Sequence, residues 1–455
     1  MFRVATLVVA LILAVSGCAQ VIEGRARPGE GIRSNVTPAD YEIIGGTDSQ
    51  IDQLSRNALA DITTYWEQTF PEVFGAGFEP LAGGVYSVDP GDFDASEYPG
   101  DIGCFDDVED VENNAFYCFP PNDNIVYDRV FIDALAQEYG LFIPALVLSH
   151  EYGHTIQGRQ PPPSDLSIVY EAQADCYAGA WSAWVVEGNA EHFIIRPSEL
   201  DDVLRGYLLL RDEPGSGPTD RGAHGSYFDR VSAFQEGFDQ GAQACADNYS
   251  DERLFTQGEF SQADLESRGN SPYDETLMIT ADTLNAFWTQ ALDEVFDVEW
   301  TAPALESFDG GVPTCDGARQ RRIVTYCEPD NRVDFDGGEL MPTVHAEIGD
   351  FAVSTLIGVQ YALSARAQLG LDFRGENALR SAICLTGWYA GQFFLGSIEA
   401  EATISPGDLD ESIQVLLEYG TQGDVLPDVG LSGFQQVDLF REGALEGASA
   451  CDVGV

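Results

Sequence analysis

The apolar positions of this chain fall into a few blocks separated by acidic, glycine-rich stretches. Arg3 opens the first block, an apolar run over residues 4–15 that ends in Ser16, Gly17 and Cys18. That charged, apolar, small-residue order is the layout of an export signal, and the run is too short to cross a bilayer comfortably. Residues 19–36 follow with Gly, Arg and Pro but few large apolar side chains, which predicts a flexible tether. A second apolar block covers residues 145–149. Pro144 suits a helix start there, and Gly158 with the prolines at 161–163 supplies a stop, so a helix is predicted between them. The small, apolar segment 167–187 reads as another helix, with Ser164 or Asp165 available as its cap. Residues 115–128 are predicted as a hairpin. No other stretch is long and apolar enough for a transmembrane helix.

Placed side by side, the two halves of the chain match at a slowly shrinking offset. It falls from 222 residues for Trp66 with Trp288, through 211, 209 and 208 for Cys104 with Cys315, Cys118 with Cys327 and Cys176 with Cys384, to 206 for Cys245 with Cys451. Small deletions in a second copy produce such a one-way drift, whereas chance matches scatter. Local sequence agrees: YCFPPNDNIVYD from Tyr117 mirrors YCEPDNRVDFD from Tyr326, and FQEGFDQGAQAC from Phe234 mirrors FREGALEGASAC from Phe440. A tandem duplication is therefore expected, with domains over 37–250 and 274–455 joined by a polar linker over 251–273. Each repeat owns four cysteines, so the simplest pairing stays inside repeats: Cys104 with Cys118, Cys176 with Cys245, Cys315 with Cys327, and Cys384 with Cys451. No C-x-x-C occurs, which favours structural over redox roles.

Composition narrows the function classes. Against 76 acidic residues stand 22 basic ones, all Arg, for a formal net charge of −54, yet 44% of the chain is hydrophobic. That apolar fraction builds packed cores and excludes an acidic disordered chain. The anionic surface repels a phosphate backbone, so no nucleic-acid partner is expected. The charge excess is spread along the whole chain, as on a hydrated surface suited to salty surroundings.

Chemistry concentrates in the first half. His150-Glu151-Tyr152-Gly153-His154 is H-E-x-x-H in a chain with only five histidines. On the predicted helix the two imidazoles stand one turn apart and can meet one metal ion, with Glu151 beside them near the metal-bound water. A catalytic zinc wants three protein ligands and one open position. On the next helix Glu171 and Asp175 share a face in a small, apolar surround, where carboxylates are costly unless paired or metal-bound. Glu171 is thus expected as the third ligand, and Asp175 as the acceptor that orients His150. His192 and His345 have no motif context and read as ordinary residues. In the second half the H-E-x-x-H positions fall on Ile357, Gly358 and Tyr361, or one register on, on Gly358, Val359 and Ala362. Glu171 corresponds to Leu379, Asp175 to Ile383 and His224 to Gly430, so a metal-free second repeat is expected.

HEYGHTIQ from His150, EAQADCYAG from Glu171, FYC from Phe116, and HGS…R…F…GF…G…C from His224 to Cys245 resemble the bacterial neutral zinc metallopeptidase family, a zincin-like group. The resemblance covers most of residues 55–250. It implies an α+β zincin fold, mainly helical with a small sheet and here duplicated, peptide-bond hydrolysis, and one Zn²⁺ on His150, His154 and Glu171. By analogy with other glutamate zincins, His224 donates a hydrogen bond to the tetrahedral intermediate or else serves as a structural cap, with Tyr227 as a second candidate for the donor. The V-S-G-C ending at Cys18 resembles the lipobox of bacterial lipoproteins. It implies cleavage before Cys18, acylation of that cysteine (palmitate) and a protein held at the extracytoplasmic face of the bacterial cell membrane.

The expected function is that of a membrane-anchored zinc endopeptidase acting on peptide or protein substrates, with Glu151 as general base. An edge strand of the hairpin would hold the substrate in extended form. Two other readings stay open: a non-proteolytic envelope scaffold whose zinc is structural or vestigial, and hydrolysis of another amide, such as one in peptidoglycan. The second repeat would recruit substrate, cover the active domain or bind another envelope protein.

Overall fold

A computed structural model describes residues 31–99, 104, 107–196, 199–427 and 430–454; the export signal, Cys18 and most of the tether lie outside them. The first half runs α1 (Gln50–Phe74), β1 (Gly84–Val88), β2 (Ala115–Cys118), β3 (Asn124–Asp128), α2 (Arg129–Tyr139), α3 (Ile143–Gln157), α4 (Ser167–Val186), α5 (Leu200–Leu210) and α6 (Tyr227–Asp247). After the short α7 (Asp264–Ser267), a similar order recurs. It comprises α8 (Tyr273–Phe296), β4 (Ala304–Phe308), the ribbon β5 (Thr314–Cys315) with β6 (Ala318–Arg319), β7 (Val324–Cys327) and β8 (Arg332–Asp336). Helices α9 (Leu340–Glu347), α10 (Asp350–Gln368), α11 (Glu376–Phe394), α12 (Asp408–Glu418) and α13 (Gly433–Glu446) complete it. The architecture is α+β, with helices dominating two small sheets.

Each half owns one three-stranded sheet of the same topology. The orders are β1-β3-β2 and β4-β8-β7, with the first pair of each parallel and the second antiparallel. β2 and β7 are therefore edge strands. The predicted hairpin over 115–128 is the β2–β3 pair, and β3 is buried along its whole length. Strands β3 and β8 start and finish 208 residues apart, the same spacing as Cys176 and Cys384.

Helix α3 is buried at every position, which fits a helix apolar on all sides rather than an amphipathic one. Its approach to α4 depends on Gly153, where a Cβ would sit 2.9 Å from the Ala174 Cα. α4 and α6 cross still more closely, with Gly179 against the Phe234 carbonyl and Gly237 against the Cys176 carbonyl. In the second half Gly387 and Gly443 meet Phe440 and Cys384 in the same way. Disulfides join Cys104 to Cys118, Cys176 to Cys245, Cys315 to Cys327 and Cys384 to Cys451, the pairing expected from repeat symmetry.

Three expectations need correction. The tether is not free up to residue 36: Ile32 bridges Phe193, and the Arg33 backbone N–H donates to the His192 carbonyl at 2.8 Å. The linker is not a bare spacer either. Thr256 and Gln257 donate backbone N–H bonds of 2.7 and 3.0 Å to the buried Asp229, whose carboxylate would otherwise keep only the Ser226 N–H as a backbone donor. Neither Ser164 nor Asp165 caps α4, which starts without a side-chain cap; the Ser164 hydroxyl accepts from Leu166 N–H and bonds Asp251 instead. Among the described residues, no helix is long and apolar enough to cross a membrane.

Candidate metal centre

Helical periodicity places His150 and His154 on one face of α3, their ring centroids 4.9 Å apart and their planes perpendicular. The close packing of α4 brings Glu171 to them. Its Oε2 lies 3.1 Å from His150 Nε2 and its Oε1 3.5 Å from His154 Nε2. The ligand atoms of these three residues all lie within 4.8 Å of one another, close enough for one ion. They and Glu151 line a cavity of about 720 Å³ that also takes in Asn114 and Phe116 from the β2 side, Tyr170 of α4 and Leu209 of α5.

The opposite ring nitrogens are both engaged. His150 Nδ1 donates to Asp175 Oδ1 at 2.7 Å, as expected from the sequence. His154 Nδ1 pairs with Gln157 Oε1 at 2.8 Å. The Gln157 amide cannot turn round, because its Nε2 donates to the Tyr170 carbonyl at 2.8 Å and to Gln173 Oε1 at 3.0 Å. Its oxygen therefore faces His154, which puts a proton on Nδ1 and turns Nε2 toward Glu171. Both imidazoles thus turn Nε2 toward the same point beside Glu171, where a bound cation would replace the Nε2 proton.

Asp175 is itself held by Arg230 of α6, whose Nε and Nη2 donate to its two oxygens at 2.8 and 2.9 Å. Arg230 is 3% exposed and lies over the Tyr207 ring. Burial opposes charge on His150, but Asp175 and Glu171 outweigh it and push its pKa up to about 10. Burial likewise opposes charge on Glu171 and Asp175, yet their cationic neighbours hold both below the usual carboxylate range. Glu151 has no such partner; burial pushes its pKa up, partly offset by the two imidazoles. A carboxyl raised in this way holds a proton more readily than an ordinary one, as a general base requires.

His224 lines the same cavity but is 47% exposed on its side chain, with Nδ1 3.2 Å from Asp212 and its backbone N–H on the same carboxylate. It stands at the mouth, clear of the ligand cluster. Tyr227 is not at the site: it is 1% exposed, points into the core and donates its hydroxyl to the Leu204 carbonyl. As the first residue of α6, it faces the packed side of that helix. His192 pairs with the buried Asp61, and His345 meets the Ser271 carbonyl, both as ordinary residues.

Sequence reasoning missed Gln157 and Arg230. Gln157 was within reach, since it lies three residues after His154 and shares its face. Arg230 is the Arg of the HGS…R…F pattern that begins at His224, but nothing local names its partner. A second acidic cluster, Asp350, Asp408 and Glu411, brings its oxygens within 4.8 Å of one another but contains no imidazole.

No family model matches the chain. It is similar to the uncharacterized protein YpfJ of Escherichia coli strain K12, with 29% identity over 154 residues, covering 28% of this chain and 52% of the relative. It is also similar to the uncharacterized protein Rv2575 of Mycobacterium tuberculosis H37Rv, with 25% identity over 179 residues, covering 34% of this chain and 61% of the relative. The chain thus spans about half the length of the Escherichia coli relative. No solved structure matches.

Proposed function

We propose that this protein is a zinc-dependent peptidase whose metal is held by His150, His154 and Glu171. One observation carries the reading: two Nε2 atoms and one carboxylate converge within 4.8 Å in a cavity, while Asp175 and Gln157 lock the far nitrogens. Two neutral imidazoles and one carboxylate are a donor set that zinc takes when a position is left for water or substrate. A closed structural site would need a fourth protein ligand, and none stands beside these three among the described residues. When bound, zinc supplies Lewis-acid polarisation of the scissile carbonyl and acidifies a water.

The chain's own residues do the rest. Glu151, with its raised pKa, takes the proton of the attacking water and returns it to the leaving amine. Edge strand β2 flanks the cavity, so an extended peptide can pair with its free side while Phe116, Tyr170 and Leu209 receive apolar side chains. His224 at the mouth is placed to meet substrate rather than metal. Glu151→Gln should keep one zinc per chain while peptide cleavage drops by a factor of about 10² or more. Cleavage that survives this change would refute the mechanism.

In the same reading the chain is a tandem pair of zincin-like domains, anchored outside the bacterial cell membrane through acylated Cys18. Recurrent element order, sheet topology and glycine contacts support the pairing. The constant spacing of 208 favours the register in which His150, Glu151 and His154 correspond to Gly358, Val359 and Ala362, so the second domain keeps none of the matching metal ligands.

A further inference from the structure

The second half has a cleft beside the place that matches the first half's metal centre. A cavity of about 460 Å³ lies among β7, α10 and α11, and Leu379, 208 residues after Glu171, forms part of its wall. Arg322 and Arg374 also line it. Arg322 is half-buried and makes no hydrogen bond or ion pair with any described residue; removal from water pulls its pKa down, with no carboxylate among the described residues to restore it. Arg374 stacks on Phe373, its guanidinium carbon 4.9 Å from the ring centroid, and makes no ion pair among the described residues. In a chain with 76 acidic residues to 22 arginines, a half-buried guanidinium that finds no carboxylate is out of keeping with the rest of the molecule.

Gln360 adds a second, separate sign. It lines the cavity, is 2% exposed, and accepts the Tyr326 N–H on Oε1 at 3.0 Å. That bond orients the amide and leaves the enclosed Nε2 without an acceptor. A buried donor without a partner costs free energy that a ligand oxygen recovers. Among the described residues the lining holds one carboxylate, Asp316, which is exposed. At the matching first-half positions, 209 or 208 residues earlier, stand Asn113, Leu166 and Tyr152, so the positive charge belongs to this half alone.

We propose that this cleft binds the carboxylate of a peptide, either its free C-terminus or an acidic side chain. Arg322 and Arg374 offer planar, forked donors matched to a carboxylate, and Gln360 Nε2 a further N–H. Leu363, Leu379 and Phe373 give the attached residue an apolar bed. The second half would thereby recruit substrate or product chains without cutting them, and the site does not depend on the metal reading.

The test is calorimetric titration of the full chain carrying Glu151→Gln, so that no peptide is consumed. The probes are acetyl-Ala-Gly-Ala-Leu as free acid, the same peptide as C-terminal amide, and acetyl-Ala-Glu-Ala-Leu amide. One or both acidic peptides should bind, and which of them does so separates terminal from side-chain recognition. The neutral amide should bind at least about tenfold more weakly. Arg322→Gln and the exposed-site variant Arg374→Gln should each weaken the acidic peptide by roughly tenfold, and Arg322→Lys by less. Adding His150→Ala should leave this binding in place. Equal affinity for the neutral amide, unchanged affinity in both Gln variants, or no binding of either acidic peptide at about millimolar concentration would overturn the proposal.

Discussion

Asp201 on α5 and Asp410 on α12 do the same work for opposite halves of the molecule. Asp201 accepts the N–H groups of Gly433 and Phe434 at the start of α13, at 2.9 and 2.8 Å, and Asp410 accepts that of Phe228 at the start of α6, at 2.9 Å. Each half thus caps a helix of the other, where an anion is favoured by both the free N–H groups and the helix dipole. Phe238 and Phe434 pack between them with ring centroids 5.0 Å apart. Because α6 also carries Arg230, this contact lies directly behind the metal centre.

Removing residues 272–455 should therefore do more than delete a neighbour. Phe228, Phe234 and Phe238 would face water and α6 would keep Ser226 as its cap but lose the Asp410 carboxylate, so the truncated chain should aggregate or melt well below the full chain. In the full chain, Asp201→Ala and Asp410→Ala should each cost about 1–2 kcal/mol. Chromatography and thermal melts check both. A truncated first half that stays monomeric with full stability would show that the interface is dispensable.

Arg230→Met should weaken zinc binding by about 10- to 100-fold, since it releases the carboxylate that orients His150. It should also cost roughly 3–5 kcal/mol of stability, because Asp175 would remain buried without its main partner. Arg230→Lys restores charge but not the paired donors, and should recover only part of the affinity. Competition with a chromophoric chelator reads the metal and a melt reads the fold; a stability loss with zinc affinity untouched would reduce Arg230 to a packing role.

Gln157→Leu should loosen His154 without disturbing His150. Zinc affinity should fall about tenfold, because the acceptor that keeps the Nδ1 proton in place is gone. Nitrogen-15 chemical shifts of the metal-free protein should show His154 exchanging tautomers, and an unshifted His154 in the variant would contradict the assignment.

Asp408 and Glu411 set an acid-side stability trend. Burial, then mutual repulsion with Asp350, pushes both carboxyls well above their ordinary range. The folded state therefore binds more protons than the unfolded one, and this contribution to stability falls as pH rises from about 4 through the raised values. Asp408→Asn should be more stable than the parent near neutral pH, with the gap closing as pH falls toward about 4. Melts of the two proteins across pH check it; a constant gap would place the coupling elsewhere. The comparison is needed because Glu171 and Asp175, held low, act in the opposite direction.

Much of this was legible without coordinates, for a local reason. The two imidazoles, Glu171 and Asp175 lie on short stretches whose spacing is set by one helical turn, and Gly158 and Pro144 mark the ends of α3 by their own backbone chemistry. The disulfide partners followed from symmetry between the halves rather than from contact. Tyr227 was misplaced because its motif says which residues recur but not which way the first turn of α6 faces. The tether was misjudged because Ile32 finds its partner strand at Phe193, far along the chain.

The division between the two levels runs along the range of the forces involved. Residue type and a 3.6-residue period were enough to determine that His150, Glu151 and His154 share a helix face, and that a carboxylate on the next helix would cost too much without a cation. Which nitrogen of each imidazole faces inward was decided only by tertiary packing, through Gln157 and the Asp175–Arg230 pair. Arg230 reaches Asp175 across 55 residues because small glycines let α6 lie against α4. Such a contact depends on the close approach of distant backbones, and no periodicity within either helix encodes it.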